Sequence, residues 1–368
     1  MAQNPYLSAA TRLVAPLDRT LMLLILAVLV LSLAIQFSAN NMSLQATQQH
    51  AVRIGIGLLA LLAMAHITPL HLKRWAPILF LLNLLLLVAV VFYGSGDTAQ
   101  RWLTLGPVVL QPSELLKLTI PLVVAYVLGP SLPPLSPVRV MLALALVAGA
   151  TWLVAIQPDL GTALLISAVG VSVILLAGIS RRWVLGLGAL TGISLPFVWQ
   201  YALREYQKDR IRIFFNPEAD PLGSGYNVIQ SKIAVGSGGI SGKGWTHSTQ
   251  AQFDFLPEHS TDFIFSVYAE EFGLIGVAVL VALYLAILWR IVAMSRTGPD
   301  RFSQLLIGGL GLSLLIHILI NIAMTVGYAP VTGSPLPLMS YGGSAMISTL
   351  AAFGMMMAAR HYALVRLK

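Results

Sequence analysis

Apolar residues in this chain come in long unbroken runs rather than in the alternating or helical-face patterns of soluble elements. Stretches free of Asp, Glu, Lys and Arg occupy 20–52, 54–72, 75–96, 118–138, 140–158, 160–180, 183–203, 272–289 and 302–359. A helix needs roughly 20 apolar residues to cross about 30 Å of hydrocarbon, so each run predicts a membrane span. Two runs must be divided. Residues 38–50 (SANNMSLQATQQH) are polar enough to form a loop between spans, and 326–343 (VGYAPVTGSPLPLMSYGG) carry too much Pro and Gly to continue a helix. The pattern predicts an all-α polytopic membrane protein: one domain over 1–368, ten transmembrane helices, and a long extracytoplasmic loop at 204–262 between spans seven and eight.

Composition agrees: 57% of residues are hydrophobic, 10% are charged and mean hydropathy is +0.82. Soluble domains are about one-quarter charged. The basic residues set an orientation. Arg12, Arg19, Lys73, Arg74, Arg139, Arg181, Arg182, Arg290, Arg296, Arg301, Arg360, Arg366 and Lys368 fall at alternate ends of the spans. By the positive-inside rule those ends, and both termini, face the cytoplasm of a bacterial inner membrane. Most acidic residues fall at the opposite, periplasmic face, which is therefore expected to be the working face. The net charge of +8 reads as topology, because no soluble basic patch exists to bind nucleic acid. Trp75, Trp152, Trp183, Trp199 and Trp289 lie near span ends, as headgroup belts do. The first apolar run is long enough to span and no cleavage site follows it, so no signal peptide is expected. With no cysteine, disulfide and thiolate chemistry are excluded.

The 204–262 segment holds 13 charges in 59 residues, and long loops are often functional. Within it YNVIQSKIAV has a short helical period that suits an interfacial helix. The cluster GSGGISGKGW invites a nucleotide-loop reading, which fails: a Walker A loop needs Gly where Ser237 stands and Ser or Thr where Gly244 stands. Its glycines could let backbone amides approach an anionic ligand beside Lys243; the alternative is a flexible loop.

Charges inside or beside apolar runs mark the candidate chemistry. Glu114 and Lys117, three apart, share one helix face and should pair, with Arg101 in the preceding loop able to fold over them. Asp159 follows Gln157 and Pro158 between two spans, where it either presents a carboxylate to the outer face or caps the next helix through the amides of Gly161 and Thr162. His317 and Asn321, four apart in span nine, are expected to bond across helices. The stretch LPEHSTDFIFSVYAEEFG (256–273) is the densest in acid. Thr261 is expected to cap span eight and so place Asp262 in its first turn, where burial and neighbouring acids raise the pKa enough to make a proton acceptor. Glu270 and Glu271 lie two turns deeper and cannot both face lipid.

Five segments, QRWLTLGPVVLQPSELLKL, QPDLGTALL, DPLGSGYNVIQSKIAVGSGGISGKGW, LPEHSTDFIFSVYAEEFG and PLPLMSYGGSAMI, resemble the SEDS (shape, elongation, division and sporulation) peptidoglycan glycosyltransferases over essentially the whole chain. Lys232 and the Gly-Lys-Gly-Trp ending favour the rod-shape elongation branch over the division branch. The resemblance implies ten spans, no nucleotide, and lipid II as substrate, polymerised into a β-1,4 glycan carried on undecaprenyl pyrophosphate. It implies catalysis by Asp262 and important charged positions at Arg101, Glu114, Lys117 and Asp159; Gln111, Lys243 and Glu258 complete the expected substrate-binding set, Lys243 as a candidate to offset pyrophosphate charge. It also implies a class B penicillin-binding protein as transpeptidase partner. A divalent cation, Mg or Mn, held by carboxylates is compatible with the leaving pyrophosphate; no cofactor is required. A lipid II flippase and a scaffold for a partner synthase are the rival classes, disfavoured because the acids gather on one face and no inverted repeat is visible.

Overall fold

The computed structural model describes residues 15–95, 101–105, 108–157, 159–220 and 223–366; Arg12, Pro158 and Lys368 of the sequence reading lie outside them. The chain folds into long helices: α1 (Arg19–Ala39), α2 (Leu44–Ala65), α3 (Pro69–Tyr93), α4 (Pro112–Leu128), α5 (Pro137–Ile156), α6 (Leu160–Leu176) and α7 (Arg181–Phe197). After a polar segment follow α11 (Ile264–Arg296), α12 (Arg301–Thr325) and α13 (Gly343–Arg366). Among the described residues seven helices are long and apolar enough to cross a membrane: α1, α2, α3, α5, α7 extended to Tyr201, α11 and α12; α6 is apolar but shorter. The molecule is a multi-pass helical membrane protein.

Helix α4 is the centre. Thirteen of its seventeen residues are buried, from Pro112 to Leu128, because α3, α5, α6, α12 and α13 all pack on it. A charge on such a helix has protein rather than lipid around it, which is where a membrane protein tolerates one. By contrast α7 has no buried residue and stands at the rim.

Two expectations are corrected. The polar stretch 38–50 is mostly helix: the turn covers only 40–43, Ser43 caps α2 through the amide of Ala46, and Gln48, Gln49 and His50 lie on the first turns of α2. Their polarity is met by protein, since His50 is buried against the Ser32 hydroxyl at 2.8 Å and Tyr341 bonds Gln49. The chain is all-α as expected apart from one short hairpin, β1 (Leu103–Leu105) and β2 (Val108–Leu110), which turns it back ahead of α4. Finally, Thr261 does not cap span eight. The helix starts at Ile264 with Phe263 at the cap position and no side-chain cap bond; Thr261 donates instead to Glu258 Oε2 at 2.6 Å. Asp262 therefore precedes the helix rather than joining its first turn.

The segment between α7 and α11 is not structureless. It carries α8 (Glu205–Phe215), a 3-10 turn (Pro217–Ala219), α9 (Ser224–Ser237, the expected short helix) and α10 (Thr249–Gln252). The glycine-rich turn after α9 crosses α11 at Gly273, where α11 leaves helical geometry (φ 60°, ψ −162°). The backbone bonds are exchanged there. Glu270 and Glu271 carbonyls accept from the amides of Lys243 and Gly244, while the amides of Leu274 and Ile275 donate to Gly239 and Ile240, all at 3.0–3.1 Å. The four backbone groups that the kink would otherwise orphan are thus paired. Gly242 and Gly273 are required by this contact: a Cβ at Gly242 would lie 2.0 Å from the Glu271 carbonyl oxygen, and one at Gly273 would lie 2.3 Å from the Gly242 nitrogen.

Candidate active site

Gln111 precedes α4, Pro112 opens it, and Glu114 sits in its first turn, where the helix dipole favours an anion. Lys117 reaches back to Glu114 at 2.7 Å as the spacing predicts, with both side chains largely buried. Ser348 of α13 also bonds Glu114, at 3.4 Å. The hairpin carries Arg101 to Asp159 at 3.3 Å and not over the Glu114–Lys117 pair. Asp159 is also the cap of α6, accepting from the amide of Thr162 at 3.1 Å. The capping reading of Asp159 is the one these bonds carry, with the ion pair to Arg101 beside it.

Residues 253–263 form the other wall. Glu258 has a left-handed backbone (φ 57°), and its carbonyl accepts from the amides of Thr261 and Phe263, folding the loop into a compact turn. Phe263 and Ile264 anchor the end of that turn in the core. Asn321 of α12 donates to the Asp262 carbonyl at 2.8 Å and to the Ser334 carbonyl at 2.7 Å. It bonds beyond its own helix as expected; His317 does not, its Nδ1 lying 2.7 Å from the Ser313 carbonyl one turn back.

These elements enclose a cavity of about 440 Å³. Arg101, Gln111, Glu114, Lys117, Glu258 and Asp262 all line it, and Asp159 stands behind Arg101. No hydrogen bond or ion pair engages the Asp262 carboxylate among the described residues. Burial pushes its pKa up from 3.8 to about 6; Glu258 and, more weakly, Asp159 add to the rise, while Arg101 and Arg210 oppose it. The result is a carboxylate ionised at neutral pH yet basic enough to accept a proton, facing cations across a concave polar space.

Lys243 is the candidate that the structure separates from this cavity. Its ammonium lies 2.5 Å from Glu270 Oε1, and it bonds Thr249 at 3.0 Å. Glu270 further accepts from the Ser248 hydroxyl and from the Thr249 amide and hydroxyl. Glu271 takes the Ser38 hydroxyl. Neither acid faces lipid: both are buried in protein, joining α1, α11 and the glycine-rich turn.

The profile of the FtsW/RodA/SpoVE family, described as "Cell cycle protein", matches residues 13–364. The chain belongs to this family. A family relative, "Peptidoglycan glycosyltransferase MrdB" of Escherichia coli (strain K12), is 43% identical over 342 residues, covering 93% of this chain and 92% of that one. A chain in a structure described as "Structural coordination of polymerization and crosslinking by a peptidoglycan synthase complex" superposes with a TM-score of 0.82 at 31% identity, over 94% of this chain and 98% of that one. The crystal structure of the Thermus thermophilus rod shape determining protein RodA gives 0.70 at 29%, over 93% and 96%.

In this FtsW/RodA/SpoVE chain the cavity also uses residues that the sequence reading passed over. Arg210 lines it from α8, Thr332, Gly333, Ser334 and Tyr341 line it from the Pro- and Gly-rich segment between α12 and α13, and Ser344 lines it from the start of α13. The signal for Arg210 was its basic run, REYQKDRIR, lying in the same polar segment as Asp262. The segment 326–343 was legible as a helix break, and a break at membrane depth is tolerated only where it is buried or lines a cavity. Among the described residues no three His, Asp or Glu side chains converge as a metal-binding group.

Proposed function

We propose that this chain is a peptidoglycan glycosyltransferase of the rod-shape elongation type, polymerising lipid II with Asp262 as general base. The activity is that of the family relatives by name. The observation that carries the residue assignment is the lone Asp262 carboxylate, held at a raised pKa in a cavity that also presents Arg101, Arg210 and Lys117. An α-linked donor giving a β-1,4 product is inverted, which calls for a base on the acceptor and charge stabilisation on the leaving group. In that reaction Asp262 takes the proton of the acceptor 4-hydroxyl as its oxygen bonds the donor anomeric carbon. The bond from that carbon to the pyrophosphate oxygen breaks, and undecaprenyl pyrophosphate departs with the electron pair. Arg101, Arg210 and Lys117 offset its charge. Glu114 holds Lys117, Asp159 holds Arg101, Glu258 keeps the Asp262 loop folded, and Gln111 lines the same space. Lys243 has no direct part in this scheme. A Mg or Mn ion would have to share its coordination with the pyrophosphate oxygens, because among the described residues no three His, Asp or Glu side chains converge.

The ten helices of 17 residues or more among the described residues are read as ten crossings, with both termini cytoplasmic and the cavity opening to the periplasm. The basic ends of the spans support that orientation. A class B penicillin-binding protein is the expected partner, in keeping with the synthase complex that the fold matches. The test is glycan-chain formation from labelled lipid II by the purified chain, alone and with that partner, beside Asp262→Asn. Polymer from the wild type and none from the variant is expected. A wild-type complex that moves lipid II between leaflets without polymerising it would overturn the reading in favour of transport.

A further inference from the structure

The turn bearing the candidate base and the segment that faces it across the cavity meet through two buried amide side chains in the same arrangement. Asn321, fully buried on α12, donates one N–H to the Asp262 carbonyl and the other to the Ser334 carbonyl, at 2.8 and 2.7 Å. Gln36, fully buried near the end of α1, donates to the Ser260 carbonyl at 2.8 Å and to the Met339 carbonyl at 3.1 Å. Each amide therefore spans the gap between 260–262 and 334–339, one from each side. A backbone bond closes the same seam, the Tyr341 amide donating to Ser260 at 2.9 Å. Between the clamps Gly333 (φ 68°) lies against the carboxylate, its Cβ position 3.5 Å from Asp262 Oδ2.

We propose that Asn321 and Gln36 are positioning residues for the transfer reaction: paired amide clamps that fix the Asp262 turn against the 333–341 segment and so set where its carboxylate stands. The proposal rests on the assignment of Asp262 as base. Its physical content is that both segments are irregular backbone, with no helix or sheet ladder to fix their separation. Buried carbonyls there need donors, and one primary amide can supply two at once. A displacement of about an ångström at a reacting group is worth about 10²-fold in rate, so loosening the seam should fall on turnover. Substrate capture by the cationic side of the cavity should survive.

The test uses the full chain in complex with its partner, and the variants Asn321→Ala and Gln36→Met, each of which removes both donors of one clamp. Polymerisation of labelled lipid II should show kcat lowered by at least tenfold, with KM within about threefold. Hydrogen exchange followed by mass spectrometry should show faster exchange in peptides covering 258–263 and 333–341 and no change in α4 or in the rest of α12. A well-folded variant with near-normal kcat, or one whose loss appears in KM, overturns the proposal. So does exchange that accelerates throughout α1 or α12, which marks an ordinary packing role. If neither variant accumulates as folded protein, the wild type decides. Slow exchange at the Tyr341 amide and across 258–263 supports the seam, and exchange at the rate of an open loop refutes it. The exchange measurement needs no assumption about chemistry, so an active Asp262→Asn protein would remove the base assignment while leaving the clamp separately readable.

Discussion

Two groups of acids lie eight residues apart along 256–273, and the fold treats them oppositely. Asp262 and Glu258 face a cavity, and among the described residues the Asp262 carboxylate has no hydrogen-bonded or ion-paired partner. Glu270 and Glu271 are buried, and Glu270 is surrounded by Lys243, Ser248 and Thr249. Asp262 and Glu270 are both withdrawn from solvent, so burial alone does not separate chemistry from architecture; the bonded partners around each of these two carboxylates do. A carboxylate with its acceptor capacity filled is stabilised as an anion and has no reason to take a proton. One that is desolvated and unfilled does.

The largest effect expected from breaking this contrast is on rate. Asp262→Asn keeps the size of the side chain and cannot accept the proton, so polymerisation should fall by about 10²-fold or more with the detergent melting temperature undiminished. Glu270→Ala should do the reverse in the same pair of assays. It leaves the Lys243 ammonium and several donors without their acceptor, which costs about 3 kcal/mol on the scale of a broken buried pair. The variant should therefore melt earlier or fail to accumulate, with residual activity following the amount folded. Normal melting of Glu270→Ala would show that the second group does not hold the fold.

A second break lies at the helix crossing. Gly273→Ala places a side chain where φ is 60° and ψ −162°, a region essentially reserved for glycine, at about 1–3 kcal/mol of strain. It also drives the Cβ to 2.3 Å from the Gly242 nitrogen. A lowered melting temperature is expected, together with faster hydrogen exchange in 239–244. An unperturbed melt would mean that the turn can move aside.

The Glu114–Lys117 pair lies between these extremes, being both bonded and cavity-lining. Alanine at either position should damage folding or activity more than the double variant that exchanges the two residues. An exchange no better than the singles, in a folded protein, would assign the Lys117 position to substrate contact rather than pairing.

Much of this was legible in the chain. Charge-free runs placed the long helices, and the Glu114–Lys117 spacing gave a pair seen at 2.7 Å, because both signals are local. What the sequence left open depended on distant partners. Lys243 lies beside glycines that suit an anion site, and only the crossing at Gly273 shows those glycines meeting another backbone. Thr261 reads as a helix cap by type, yet Glu258 three residues earlier captures its hydroxyl. Arg101 reads as a neighbour of Glu114, and the unexpected hairpin delivers it to Asp159 instead. Gln36 and Asn321, some 285 positions apart by the numbering, carry no shared pattern that would suggest one task.

The smallest and most diagnostic effects are in pH. Asp262 must be ionised to act as base, so kcat/KM should rise as pH increases through about 6 and level off above it. Glu258→Gln removes the neighbouring negative charge that helps raise this pKa, so the ascending limb should move to lower pH. The stability sign runs the other way. The folded carboxylate holds its proton up to about 6 and the unfolded one only to 3.8, so the native state binds more protons between those values. Stability therefore falls as pH rises across that window. The melting temperature of Asp262→Asn, measured against wild type from pH 4 to 7, should gain on it as pH rises through that range and hold the advantage above 6. The Glu270 cluster predicts no such trend at Asp262, and Asp262→Asn melting in parallel with wild type at every pH would mean that the carboxylate is as well solvated folded as unfolded. The cavity would then lose its claim to an activated base even if the residue remained essential.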